Sequence, residues 1–253
     1  MYIKNGEITI HYETFGYHQG GPTLVLVFGF SMSIQDWVDF GYVDKLEKHF
    51  KLVAIEPRGH GRSSCPIDPS AYQLDFLVSD VRTVIEHLNL PKAVIWGYSL
   101  GAKIALALSE SFSDKISGLV LGGCELHSFV DLSNDIVTDT LMLGGIAWRD
   151  LWQQLFEVPK NMAERLTQVN TNALLSLRKV EKDWPSLAGI PQKITSPVLL
   201  YAGELCFSRD DMRTMSRLFV NSELMEMKGA NHFELMPAVD WIGDAAITHF
   251  SKA

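Results

Sequence analysis

A chain of 253 residues, 47% of them hydrophobic, carries enough apolar side chain to bury one large core, as one α/β domain or a domain with an insertion. Its formal net charge of −8 argues against nucleic acid or an anionic membrane as a partner, because neither attracts an acidic protein. No apolar run approaches the roughly 20 residues that span a bilayer, and Met1 to Glu7 shows no secretory signal. Three cysteines (Cys65, Cys124 and Cys206), odd in number and without metal-ligand spacing, suit a reducing, cytoplasmic compartment.

In chain order, Ile8 to Thr14 alternates like an antiparallel edge strand. Short apolar runs at Thr23 to Phe28, Lys51 to Ile55, Ala93 to Trp96, Gly118 to Leu121 and Pro197 to Ala202 read as buried parallel strands, and Leu224 to Met227 as the last strand. Helical periods lie between them, as in Phe76 to Leu88 with Leu77, Val81, Val84, Ile85 and Leu88 on one face. This alternation predicts an α/β fold with a doubly wound, mostly parallel sheet, whose ligand site lies beyond the C-terminal strand ends. It fails between Leu126 and Ser196, where Leu141, Trp148, Trp152, Phe156, Leu174 and Trp184 are spaced without a strand run. That segment is expected to form three to four helices, a lid (residues 126–196) inserted into a core made of residues 1–125 and 197–253. Its aromatics pack lid to body, and its apolar underside lines a substrate pocket.

The most informative stretch is Val94 to Ala105. An apolar strand breaks into Gly97-Tyr98-Ser99-Leu100-Gly101, and small and aliphatic residues then resume at helical spacing. A serine at the apex of such a strand–turn–helix is strained and exposed, with helix N–H groups pointing at whatever it attacks. Ser99 is therefore the first candidate catalytic residue.

Four segments in order carry a resemblance. Phe28-Gly29-Phe30-Ser31 with Trp37, Glu56-Pro57-Arg58-Gly59-His60-Gly61, the Gly97–Gly101 elbow and Gly229-Ala230-Asn231-His232-Phe233 together resemble the α/β-hydrolase superfamily over nearly the whole chain. The resemblance implies the α/β-hydrolase fold, with His232 as the base that activates Ser99 and the backbone N–H groups of Phe30 and Leu100 as oxyanion donors. The bland alternative for His232 is a solvated loop histidine. His60 reads as part of a tight turn whose side chain lines or borders the site. Where the family often has His-Gly, this chain has Phe28-Gly29, and a phenylalanine offers no hydrogen bond to brace the loop.

The acid that should stand behind His232 departs from the pattern. The family places an aspartate where this chain reads Gly203-Glu204-Leu205-Cys206. Glu125, after the preceding strand, is the first substitute. Asp210 or Asp211 in the following loop, Glu204, or a Ser–His pair without any acid are the others. The implied topology also ends adjacent strands with Cys124 and Cys206, about 4.8 Å apart, within reach of a disulfide under oxidation. Two buried free thiols are the plainer reading.

These residues imply a serine hydrolase acting through an acyl-enzyme on a small or medium, mostly apolar ester, thioester or lactone. No cofactor or metal is implied, and the chain is expected to act as a monomer or homodimer on a small-molecule substrate. Charged substrates are disfavoured because the lid's basic residues (Arg149, Lys160, Arg165, Arg178, Lys179 and Lys182) read as solvated faces. Hydrolysis of a carbon–carbon bond in a diketone is the enzymatic alternative, and a non-catalytic small-molecule binder is the other. A nucleophilic aspartate, as in epoxide hydrolases, is excluded because position 99 is serine.

Overall fold

The computed structural model describes residues 1–16, 21–128 and 130–251. Its strands are β1 (Tyr2–Asn5), β2 (Ile8–Phe15), β3 (Thr23–Val27), β4 (Lys51–Glu56), β5 (Ala93–Tyr98), β6 (Ile116–Gly122), β7 (Val198–Gly203) and β8 (Ser222–Met227). They form one sheet in the order β1-β2-β4-β3-β5-β6-β7-β8. β2 is antiparallel to both β1 and β4, and every other pairing is parallel. β3, β5 and β7 are buried along their whole length, as their unbroken apolar sequences require when helices cover both faces. β1 alternates exposed and half-buried residues over only four positions, too short a pattern to announce itself.

Among the described residues the helices are α1 (Ile34–Asp39), α2 (Tyr42–Leu46), α3 (Leu74–His87), α4 (Leu100–Ser111), α5 (Ile136–Met142), α6 (Gly145–Leu155), α7 (Lys160–Leu166), α8 (Thr171–Glu181), α9 (Arg209–Leu218) and α10 (Val239–Phe250). Side chains of one parity along the strands (Val25, Ile95, Leu121) join Leu77, Val81, Ile104 and Leu108 of α3 and α4 in one core. Those of the other parity (Leu26, Trp96, Tyr201) join Trp37, Leu46, Ile242 and Phe250 of α1, α2 and α10 in a second. This division follows from the two-residue period of a strand.

The chain runs from β3 outward to β4, then returns to place β5 on the opposite side of β3. That reversal is the topological switch point, where the strand ends open a crevice. The loop after β3 and the elbow after β5 meet there. α5 to α8 lie between β6 and β7 in the chain. This segment fastens to the body through Trp148 Nε1 of α6 donating to Ser31 Oγ (3.0 Å), Trp184 Nε1, just after α8, donating to the Tyr72 carbonyl (3.0 Å), and Arg165 of α7 paired with Asp36 and Asp39 of α1 (2.5 and 2.8 Å).

Candidate active site

At the elbow Ser99 has φ 55° and ψ −118°, in the left-handed half of backbone space that costs a side-chain-bearing residue of order 1–3 kcal/mol. The conformation holds because α4 packs hard against the sheet. A Cβ on Gly101 would overlap the carbonyl of Val27, so only glycine allows the helix to start where it does. The Ser99 N–H donates to the Gly122 carbonyl at 2.7 Å, tying the turn to β6.

His232 lies in the loop after β8, 5% exposed, with Nε2 3.1 Å from Ser99 Oγ. Tyr98 stacks on its ring and donates its hydroxyl to the His232 carbonyl, while Phe207 covers the other side. Gly123 (φ 58°), just after β6, lies against this ring, and a Cβ there would come 2.6 Å from Cε1. The structure thus brings together the two residues predicted as nucleophile and base, and Gly123 is a positioning feature that the sequence reading missed.

Behind His232 stands Cys206. Its Sγ is 3.2 Å from His232 Nδ1 and 3.1 Å from Ser208 Oγ. A consistent placement of protons has Nδ1–H donating to sulfur and S–H donating to Ser208, which leaves the Nε2 lone pair facing Ser99. Burial raises the Cys206 thiol above its ordinary range, so it stays neutral. His232 is pushed down to about 3, first by burial and second by the charge of Lys103. The pair is a neutral imidazole on a neutral thiol.

None of the predicted carboxylates reaches His232. Glu125 is turned to Lys103 Nζ (2.6 Å), an ion pair that holds it away from the imidazole. Asp211 accepts the Leu126 N–H at 2.8 Å, and Asp210 is solvent-exposed beside Arg209. Glu204, also exposed, accepts the Gly229 N–H at 2.8 Å. The option of a Ser–His pair without an acid is the one that this geometry matches, with a thiol filling the acid's place. The three cysteines are free, and Cys124 has its own contacts, its N–H reaching Met212 Sδ (3.1 Å) and its thiol the Glu125 carbonyl.

The loop after β3 approaches Ser99 closely enough that a Cβ on Gly29 would sit 3.2 Å from Ser99 Cβ. The backbone N–H groups of Phe30 and Leu100 have no acceptor among the described residues. Bracing comes from packing in place of a histidine's hydrogen bond: Phe28 stacks on Trp37 (3.9 Å between centroids), and Phe30 meets Trp148 and His60 edge-on. His60 is buried beside the site, with Nδ1 on the Arg58 carbonyl.

A cavity of about 210 Å³ opens at Ser99 and His232, walled by Trp148, Trp152, Phe233 and Met236. It also has a charged wall, one member of which, Arg178, the sequence reading placed in solvent. Arg178 of α8 lines it with Glu181, Glu125 and Lys103, and Arg165 is tied to α1. Arg178 and Glu181 lie on the amphipathic α8 and share its inward side with Leu174 and Leu177, which is why the charge of Arg178 alone misled. Lys103 was legible: it follows Ser99 by one helical turn, in a helix otherwise small or apolar there.

An elbow serine at the switch point of a mostly parallel sheet, paired with a histidine from the loop after its last strand, is the arrangement of the α/β-hydrolase fold. Residues 22–180 match the family model described as alpha/beta hydrolase fold, and the chain belongs to that family. Over 119 residues it is 27% identical to epoxide hydrolase 4 of Mus musculus, covering 47% of this chain and 32% of that protein. Over 115 residues it is 25% identical to 3-oxoadipate enol-lactonase 2 of Acinetobacter baylyi, covering 46% and 41%. The matched stretches thus span about a third to two fifths of those relatives. The enol-lactonase structure from Burkholderia xenovorans LB400 superposes with a TM-score of 0.86 at 19% identity, covering 98% of each chain. No helix of the described residues is long and apolar enough to cross a membrane.

Proposed function

We propose that this chain is a serine hydrolase that cleaves a small or medium ester, thioester or lactone through an acyl-enzyme. The 3.1 Å approach of His232 Nε2 to Ser99 Oγ carries the reading. Ser99 Oγ attacks the carbonyl carbon as its proton passes to Nε2. The N–H groups of Phe30 and Leu100 take the negative charge that develops on the carbonyl oxygen, each worth about 10²–10³ in rate. His232 then protonates the departing alcohol or thiol, and water, deprotonated by His232, releases the acid and restores Ser99.

A relative named enol-lactonase supports the ester or lactone choice. Cavity size supports a small substrate, since pockets for drug-sized ligands run to about 300–1,000 Å³. A neutral thiol cannot balance the imidazolium that forms in each step, so turnover is slow, or the substrate is already activated. The same thiol is the observation that favours a non-catalytic binder. A fluorophosphonate probe decides: labelling of the wild type that disappears in Ser99→Ala supports the enzyme, and an unlabelled wild type supports the binder.

A further inference from the structure

The proposed acyl transfer leaves one wall of the cavity unused. Lys103 Nζ bridges Glu125 (2.6 Å) and Glu181 (2.9 Å), and Arg178 joins Glu181 (2.9 Å) to Asp135 (2.9 Å). Their side chains are between 7% and 15% exposed. Each buried ion costs several kcal/mol of desolvation, so a cleft shaped only for hydrocarbon gains nothing from such a wall.

The balance of the group gives a sign. Three carboxylates (Glu125, Glu181, Asp135) face two cations (Lys103, Arg178), leaving one negative charge in excess. Both cations are already held by two carboxylates each. Glu125 is the member with capacity left: Oε2 takes Lys103, while no donor reaches Oε1 among the described residues. Oε1 is also not among the side-chain atoms sealed inside the protein without a partner, and Glu125 lines the cavity that holds Ser99.

We propose that Glu125 is a specificity-determining acceptor: the substrate carries a hydrogen-bond donor, a hydroxyl or an ammonium, remote from its scissile carbonyl, and docks that donor on Oε1. A substrate carboxylate is repelled at the same place. The assignment rests on the hydrolase reading only for which end of the substrate faces Ser99. Burial holds the Glu125 carboxyl above its usual range, as for an acid short of partners, and an incoming donor relieves it.

The test separates the two readings by measuring binding apart from turnover. Ser99→Ala is titrated calorimetrically with a matched series of methyl esters: hexanoate, ω-hydroxyhexanoate, ω-aminohexanoate and the half-ester of adipate. A hydrogen bond to a charged group predicts that the hydroxy and amino esters bind about tenfold or more tighter than the adipate half-ester. Adding Glu125→Gln should cut the amino ester's advantage to under about threefold, with the thermal midpoint reporting that the variant is folded. Equal binding across the series, no binding, or preference for the carboxylate overturns the proposal whether or not Glu125→Gln folds. Turnover of the same esters by the wild type is scored separately. Preference without turnover refutes the hydrolase and leaves the Glu125 site standing, whereas turnover without preference does the reverse.

Discussion

A thiol behind an imidazole is a different device from a carboxylate there. Sulfur is a weak acceptor, and a neutral one adds no charge to stabilise an imidazolium. His232, pushed down to about 3, should therefore remain the free base well below neutrality. A general base acts only when unprotonated, so kcat/KM for an activated ester should show no acidic limb from His232 between pH 5 and 8. Cys206→Asp places a carboxylate of similar volume against Nδ1, with Ser208 to hydrogen-bond it. That anion favours imidazolium, so an acidic limb should appear and move upward in pH. Because losing the acid from a triad costs about 10⁴ in kcat, the variant should gain at least about tenfold. A pH-rate profile and kcat for wild type and Cys206→Asp check both points. An unchanged or lower kcat in a folded variant would mean that Cys206 does not stand in the acid's place.

The elements differ in how plainly their sequence declares them. The elbow is readable because chemistry and geometry coincide: Ser99 must sit at a positive φ, and glycine must let α4 start against β3. The order of buried strands is equally plain, since β3, β5 and β7 are unbroken apolar runs. The resemblance already put Cys206 at the acid's position behind His232; what stayed hidden was that no carboxylate replaces it, because Glu125, Asp210, Asp211 and Glu204 are each claimed by another donor, which their sequence does not announce. Arg178 was read as a solvated face for a related reason: it is held by Asp135 and by Glu181, and Glu181 in turn takes Lys103 of α4. The pairings of Arg178 with Asp135 and of Glu181 with Lys103 join different elements and are invisible within either one. The network predicts that Lys103→Met, which leaves Glu125 without a cation and Glu181 with Arg178 alone, lowers stability by about 3 kcal/mol in urea denaturation. Adding Glu125→Gln and Glu181→Gln to the same variant should restore most of that loss. A loss under about 1 kcal/mol for the single variant would show the network to be well solvated.

At the scale of the whole molecule, the sheet supplies the reactive pair and the segment between β6 and β7 sets what can reach it. Ser99 and the N–H groups of Phe30 and Leu100 come from the switch point of the sheet, and His232 follows β8 at its edge. Trp148 and Trp152 close over them from α6, and Trp148 is fixed in turn to Ser31 of the loop after β3. The segment is also fastened by Arg165 to α1 and by Lys103 to Glu181, so opening it means breaking several polar contacts together. On the proposed acyl-enzyme reading, a cavity of about 210 Å³ under such a roof would limit the acyl group more than the chemistry does. With p-nitrophenyl esters of increasing chain length, kcat/KM should be highest for short acyl groups and fall at least about tenfold by the dodecanoyl ester. Each methylene that fits gains about 0.8 kcal/mol from burial, and this gain stops once the cavity is filled; forcing longer chains in costs about 1–3 kcal/mol of overpacking, which spans the tenfold fall at about 1.4 kcal/mol. Trp152→Ala should shift the optimum to longer chains by removing wall, with little change in labelling of Ser99 by a small fluorophosphonate. Turnover that climbs steadily with chain length in the wild type would instead mean that the roof opens freely, and that the contacts of Arg165 and Lys103 do not hold it.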